Sequence, residues 1–254
     1  MPSVLHWQSA RDDPIQMDVA IFSFHLARAS VPTTLAMLWR PPRSSTLPGL
    51  LHAENMTRMT LGAPIASPGR MQLRHVAMFA AWEDEAAIEG FLANTRWGRA
   101  LSHAWHVRLQ LVRQWRRLRE LEGMCETVGK LQDDEPVVAV TVARMKLPQV
   151  PRFIRWGRPV EELVRDHPGA TLAMAAMRLP RTVSTFTVWR SQRDMLDMVQ
   201  GHSVIARPER HAQAMVERNR KDFHFEFTTL RFRPLSEHGQ WEGRTGIVPI
   251  GARG

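Results

Sequence analysis

Apolar and polar positions along the chain follow two patterns, one of period two and one of helical spacing. Thr182-Val183-Ser184-Thr185-Phe186-Thr187-Val188-Trp189 is rich in β-branched and aromatic residues and predicts a strand. Met195, Met198 and Val199 follow at helical spacing, and after Gly201 and Pro208 a second helix is expected around His211, Ala214 and Met215. Phe223 to Phe232 returns to alternation and predicts another strand, with His224 between the phenylalanines read as facing outward.

An earlier stretch has the same plan. Arg74 to Trp82 reads as a strand, Glu83-Asp84-Glu85 as an acidic helix start, and Ala87, Ile88, Phe91 and Leu92 as one helix face. Trp105 to Val112 is the return strand. Trp82 and Trp189 mark equivalent points, and Pro48-Gly49-Leu50 corresponds to Pro168-Gly169-Ala170. Ahead of each stretch lie a strand, a helix and a second strand. In the first half these are Met17 to Phe24, then Pro32 to Trp39 ended by Pro41-Pro42, then Ala53 to Leu61. In the second half they are Pro136 to Met145, then Val150 to Val164 with Phe153, Trp156, Val160 and Leu163 or Val164 on one face, then Ala170 to Leu179. Each half thus has the order β-α-β-β-α-β over about 100 residues, which indicates an internal duplication.

That order is the ferredoxin-like unit, an antiparallel sheet with helices on one face and a bare face on the other. Packing the two bare faces together predicts an α+β fold in which two tandem ferredoxin-like repeats form an intramolecular dimeric α+β barrel. A cavity or an apolar core is then expected between each sheet and its helices. The expected divisions are an extension over 1–16, a first repeat over 17–115, a charged linker over 116–135, a second repeat over 136–235 and a tail over 236–254.

Composition narrows the function. The net charge of +9 favours anionic partners or surfaces, although the Arg113 to Arg119 and Arg218 to Lys221 clusters read individually as solvated faces. The chain contains no tyrosine, so no phenol serves as acid, base or radical. The single cysteine, Cys125, allows no internal disulfide and fits a reducing, cytoplasmic setting. No run reaches the ~20 apolar residues needed to span a bilayer, so a soluble or peripheral protein is expected. No Lys/Arg-Gly-Phe/Tyr motif of the RRM type occurs, which argues against a nucleic-acid partner.

Several short motifs in order resemble the spheroidene monooxygenase-like family. They are Ala143-Arg144-Met145-Lys146-Leu147-Pro148, Arg152-Phe153-Ile154-Arg155-Trp156, Pro168-Gly169, Phe186-Thr187-Val188-Trp189, His211-Ala212-Gln213-Ala214-Met215 and Gly239-Gln240-Trp241-Glu242-Gly243-Arg244. The first half joins through Pro48-Gly49, Ala81-Trp82-Glu83 and the Trp105 to Val112 strand, whereas the N-terminal extension and the basic charge depart from the family pattern. The resemblance implies a haem-dependent monooxygenase that uses O2 and an electron donor to place a keto group on a carotenoid or similar lipophilic small molecule. Aldoxime dehydratases, chlorite dismutases and haem-degrading monooxygenases are similar in plan and differ in chemistry, so a haem-binding protein or a haem enzyme of another reaction type is the alternative.

Haem requires an axial ligand and an apolar slot. His211 is the expected iron ligand, with Met215 one turn on and Phe225 on the following strand lining the haem site. Read from the residues alone, His211 serves equally as a cap or surface residue after Pro208-Glu209; the resemblance favours the ligand. His202, after Gly201, is the competing ligand. Arg178 and Arg144 are candidates to pair with haem propionates or act on iron-bound oxygen, against a plainer reading of each as a solvent-facing strand arginine. Peripheral attachment to anionic membranes and a homodimer are both compatible with this reading.

Overall fold

The computed structural model describes residues 20–64, 67–116, 118–121, 129–203 and 205–250. The extension expected over 1–16, the start of the first expected strand and Cys125 lie outside the described residues. In the first repeat, β1 (Ile21–Arg28), α1 (Val31–Trp39), β2 (Leu50–Met59), β3 (Gln72–Trp82), α2 (Glu85–Asn94), α3 (Arg96–Ser102) and β4 (Trp105–Trp115) follow one another. The second repeat comprises β5 (Val137–Met145), α4 (Val150–Arg165), β6 (Ala170–Arg178), β7 (Thr182–Trp189), α5 (Gln192–Gln200), α6 (Arg210–Arg220) and β8 (His224–His238).

The strands close into one barrel in the order β1-β3-β2-β6-β7-β5-β8-β4. Within it, each repeat contributes the ferredoxin-like order, β4-β1-β3-β2 and β8-β5-β7-β6, and all neighbours are antiparallel. The repeats join along two seams. β4 pairs with β8 over most of its length, whereas β2 meets β6 only from Thr57 to Met59. The duplication is visible in the register, since Ile21 faces Trp82 in one repeat and Val137 faces Trp189 in the other.

Local chemistry starts the helices where the sequence places them. Asp84 caps α2 by accepting from Ala87 N at 2.7 Å, and Ser191 caps α5 by accepting from Asp194 N at 3.1 Å. The repeated Pro-Gly pairs have a packing reason. Gly49, at φ +71°, sits against Ala87 in the first turn of α2, and a Cβ on Gly169 would fall 2.6 Å from Asp194 Cβ in the first turn of α5. A bare backbone at this point lets each repeat's second helix close onto its sheet.

Inward-facing residues of both sheets fill the barrel. Phe24 stacks on Phe186 at 3.7 Å between ring centroids, and Phe22 packs on Phe232 at 5.0 Å. Each such fully buried ring contributes roughly 1.5–3 kcal/mol by leaving water. Segments expected as linker and tail belong to this core, because Leu118, Leu121, Trp241, Ile247 and Val248 are all buried in it. β8 also continues past residue 235 to His238. Glu237 fastens the segment that follows, accepting from the backbone N–H groups of Ile247 at 3.1 Å and Val248 at 2.8 Å and from Trp105 Nε1 at 2.8 Å.

The two outer faces differ. In the first repeat, Met37, Met78, Trp82, Phe91 and Leu101 form a solid core between sheet and helices. In the second repeat the corresponding layer is hollow. No helix among the described residues is long and apolar enough to cross a membrane.

Candidate functional site

The hollow has a volume of about 630 Å³ and lies between the outer face of β5 to β8 and helices α4, α5 and α6. Small side chains create it: Ala139, Thr141, Ala143, Ala175, Thr185 and Thr229 line its floor, and Gly157 and Ala214 its roof. The register aligns Trp82 with Trp189, which sets Thr185 where the first repeat has Met78. Around this space Phe153, Trp156, Val160, Met195, Met198 and Phe227 supply apolar walls. Its size is within the ~300–1,000 Å³ typical of small-molecule and cofactor pockets.

His211 lies in the first turn of α6 and lines the cavity, as do Ala214, Met215 and Arg218 on the same helix face. Burial lowers the His211 pKa, and a hydrogen bond to the Val199 backbone only partly offsets this. Burial thus favours the neutral ring, the form able to act as a ligand or base.

Other expected site residues lie elsewhere. Arg144 and Arg178 face the barrel interior, on the opposite side of the sheet from the cavity, where both bind Glu54 at 2.7 Å. Arg144 is largely buried there and Arg178 partly so, and neither lines the cavity. His202 is exposed just beyond α5 and does not line the cavity. Phe225 is 49 % exposed and points away, with the Arg181 guanidinium 5.6 Å from its ring. The cause is a β-bulge: Arg144 faces Glu226 but Met145 faces His224, so Phe225 is the extra residue. The same bulge corrects the expected orientation of His224, which is buried, lines the cavity and packs against Phe153 and Phe227. Burial, reinforced by the Arg218 charge, lowers the His224 pKa to about 4, and neither ring nitrogen has a hydrogen-bond partner.

Arg218 and Arg231 also reach the cavity, and Arg218 is buried rather than part of a solvated cluster. Its position seven residues after His211 is the signal that would have found it, since that spacing returns to the same helix face. Nothing in the alternation of β8 singles out Arg231. The site thus combines the imidazoles of His211 and His224, an apolar slot and cationic side chains.

No group of three or more His, Cys, Asp or Glu among the described residues is arranged to hold a metal ion. An imidazole at the wall of a largely apolar cavity, with no cluster of further ligands beside it, suits iron that is already held by a macrocycle, and the residues present fit haem. Trp156, Phe153 and the methionines would flank such a group, and His211 would be the residue to hold its iron.

No family model matches the chain. The spheroidene monooxygenase of Rubrivivax gelatinosus is 29 % identical over 170 residues, covering 66 % of this chain and 63 % of that protein, so the chain spans less than two thirds of its relative's length. Among solved structures, an aldoxime dehydratase in complex with butyraldoxime is 7 % identical with a TM-score of 0.49, covering 85 % of this chain and 79 % of that one. A monooxygenase-like protein from Listeria innocua is 7 % identical with a TM-score of 0.29, covering 87 % of this chain and 97 % of that one. At such scores the fold is defined by the strand order itself, two ferredoxin-like sheets closed edge to edge. By sequence, the chain is a homologue of spheroidene monooxygenase across 66 % of its length.

Proposed function

We propose that the protein is a haem-dependent monooxygenase that oxidises a lipophilic, carotenoid-like or other small organic substrate with O2. The observation that carries this reading is the half-buried imidazole of His211, its pKa lowered by burial, at the wall of a largely apolar cavity. The sequence relation to an enzyme named for spheroidene supports the reaction class and a substrate of that character. Haem bound there would supply activation of O2, with one oxygen atom entering a substrate C–H bond and the other leaving as water on two electrons from a donor. The protein's part is positional. His211 would hold the iron, Trp156, Phe153 and Val160 would exclude water, and Met195, Met198 and Met215 would adapt to a flexible apolar substrate.

Wild-type protein supplied with haem is expected to show a Soret band, with His211→Ala lacking it and His202→Ala keeping it. A colourless wild type, or a His211→Ala variant that keeps the band unchanged, would reject the assignment. Product formed only with O2 and a reductant separates an oxygenase from a haem carrier.

The proposal places the protein in the cytoplasm, drawn by its net charge of +9 to anionic membranes where lipophilic substrates dissolve. Co-sedimentation with anionic vesicles should weaken as salt rises. Binding that is indifferent to salt, or absent at low salt, would remove this part.

A further inference from the structure

The cavity contains cationic charge that the protein itself compensates only in part. Arg218 is only 7 % exposed, and its Nε and Nη2 have no hydrogen-bond partner among the described residues. Its neighbouring carboxylate oxygen, Asp222 Oδ1, is 3.7 Å from Nε, beyond hydrogen-bond reach, while the guanidinium lies 3.7 Å over the Phe227 ring. Arg231 enters the same cavity from β8, 4.3 Å from the centroid of Trp115, and the charge that acts on it is that of another cation, Arg113. The one acid lining the cavity, Glu161, is already taken by Arg70, whose Nη1 donates to it at 2.8 Å, and by Gly62 N at 2.9 Å.

Burying guanidinium groups without full hydrogen bonding is costly, and both groups respond to it. Burial, with Arg113 nearby, lowers the Arg231 pKa to about 10, and burial with Arg116 nearby lowers that of Arg218, which Asp222 offsets only in part. An anionic ligand group would remove this cost for both arginines at once.

We propose that Arg218 and Arg231 are the carboxylate-anchoring pair of the pocket, so that the group held by His211 carries acidic arms directed at these two guanidinium groups. This rests on the haem reading above. The two propionates of protoporphyrin supply such carboxylates, whereas a hydrocarbon substrate supplies none. The pair takes the role expected from sequence for Arg144 and Arg178, which Glu54 occupies inside the barrel.

Haemin and its dimethyl ester share iron and macrocycle and differ in whether the two carboxyl groups ionise. Titrating the full chain with each, followed by Soret absorption, tests the pair without altering the protein. Wild type is expected to bind haemin at least about tenfold more tightly than the ester, the scale of one lost charge-assisted hydrogen bond. Arg231→Met and Arg218→Met are each expected to lose about tenfold for haemin and to leave ester affinity within about threefold. Equal wild-type affinity for haemin and ester overturns the proposal and leaves the haem reading standing. Binding of neither overturns both. Should Arg218→Met not fold, the wild-type comparison and Arg231→Met still decide the matter.

Discussion

Replacing Glu54 with alanine is expected to destabilise the barrel by about 3–5 kcal/mol, the usual loss when one partner of a buried ion pair is removed. Glu54 is 1 % exposed and belongs to the first repeat, yet its charged partners Arg144 and Arg178 belong to the second. His52 Nε2 is a further neighbour at 3.4 Å. Arg144 also binds Glu120 at 2.6 Å and Glu226 at 3.1 Å. The cluster sits beside the short β2–β6 seam and ties the repeats together where strand pairing is weakest. Burial alone would raise the Glu54 pKa, but His52 and the Arg144 and Arg178 charges outweigh it and hold the pKa at about 2. Stability from this carboxylate is therefore full above about pH 4.5 and is lost as pH falls toward 2. Urea unfolding of the alanine variant would show it, and a loss below about 1 kcal/mol would mean that the cluster is not structural.

Acid is expected to weaken the other seam through a separate set of groups. His25 on β1, His106 on β4 and His238 on β8 are register partners, and their rings stack at 4.9 and 4.6 Å between centroids. His25 Nε2 meets Ser23 Oγ at 2.9 Å, His238 Nε2 meets Ser236 Oγ at 2.9 Å, and Arg108 with Glu85 and Glu89 lies alongside. Burial first, and then the His238 and Arg108 charges, bring the His106 pKa down to about 4; burial also lowers His25 and His238. Between pH 6.5 and 4 the unfolded chain binds more protons than the folded one. Stability is thus full above pH 6.5 and falls toward pH 4, by on the order of 3 kcal/mol for His106 alone. Melting temperatures measured at steps across this range should decline in wild type and decline less in His106→Phe, which keeps a ring in the stack. Identical slopes would show that the imidazole ladder does not govern the response.

The duplication was legible because residues that fix geometry recur: the tryptophans at equivalent register positions and the Pro-Gly pairs where a helix meets its sheet. That His211 and Met215 share one helix face was legible from their spacing, and that face lines the cavity. Arg144 and Arg178 were misjudged for a physical reason. In a closed barrel with helices outside, both faces of every strand are buried, so alternation separates two faces without saying which one adjoins a cavity. Phe225 and His224 were misplaced because a single bulge reverses the alternation beyond it, and no periodicity marks the extra residue. The tail was undervalued because Trp241, Ile247 and Val248 are spaced as in a loop and acquire partners only once the barrel end exists.

One sheet filled behind by Met78 and Phe91 and its counterpart left hollow is an inequality that two identical subunits could not sustain. A symmetric pair of separate chains would have two pockets or none, and any change that enlarged a pocket would weaken both partners together. Fusion in one polypeptide frees the copies from each other. One can drift toward rigidity and serve as ballast, while the other tolerates empty space, buried cations and a reactive imidazole without the assembly losing its footing.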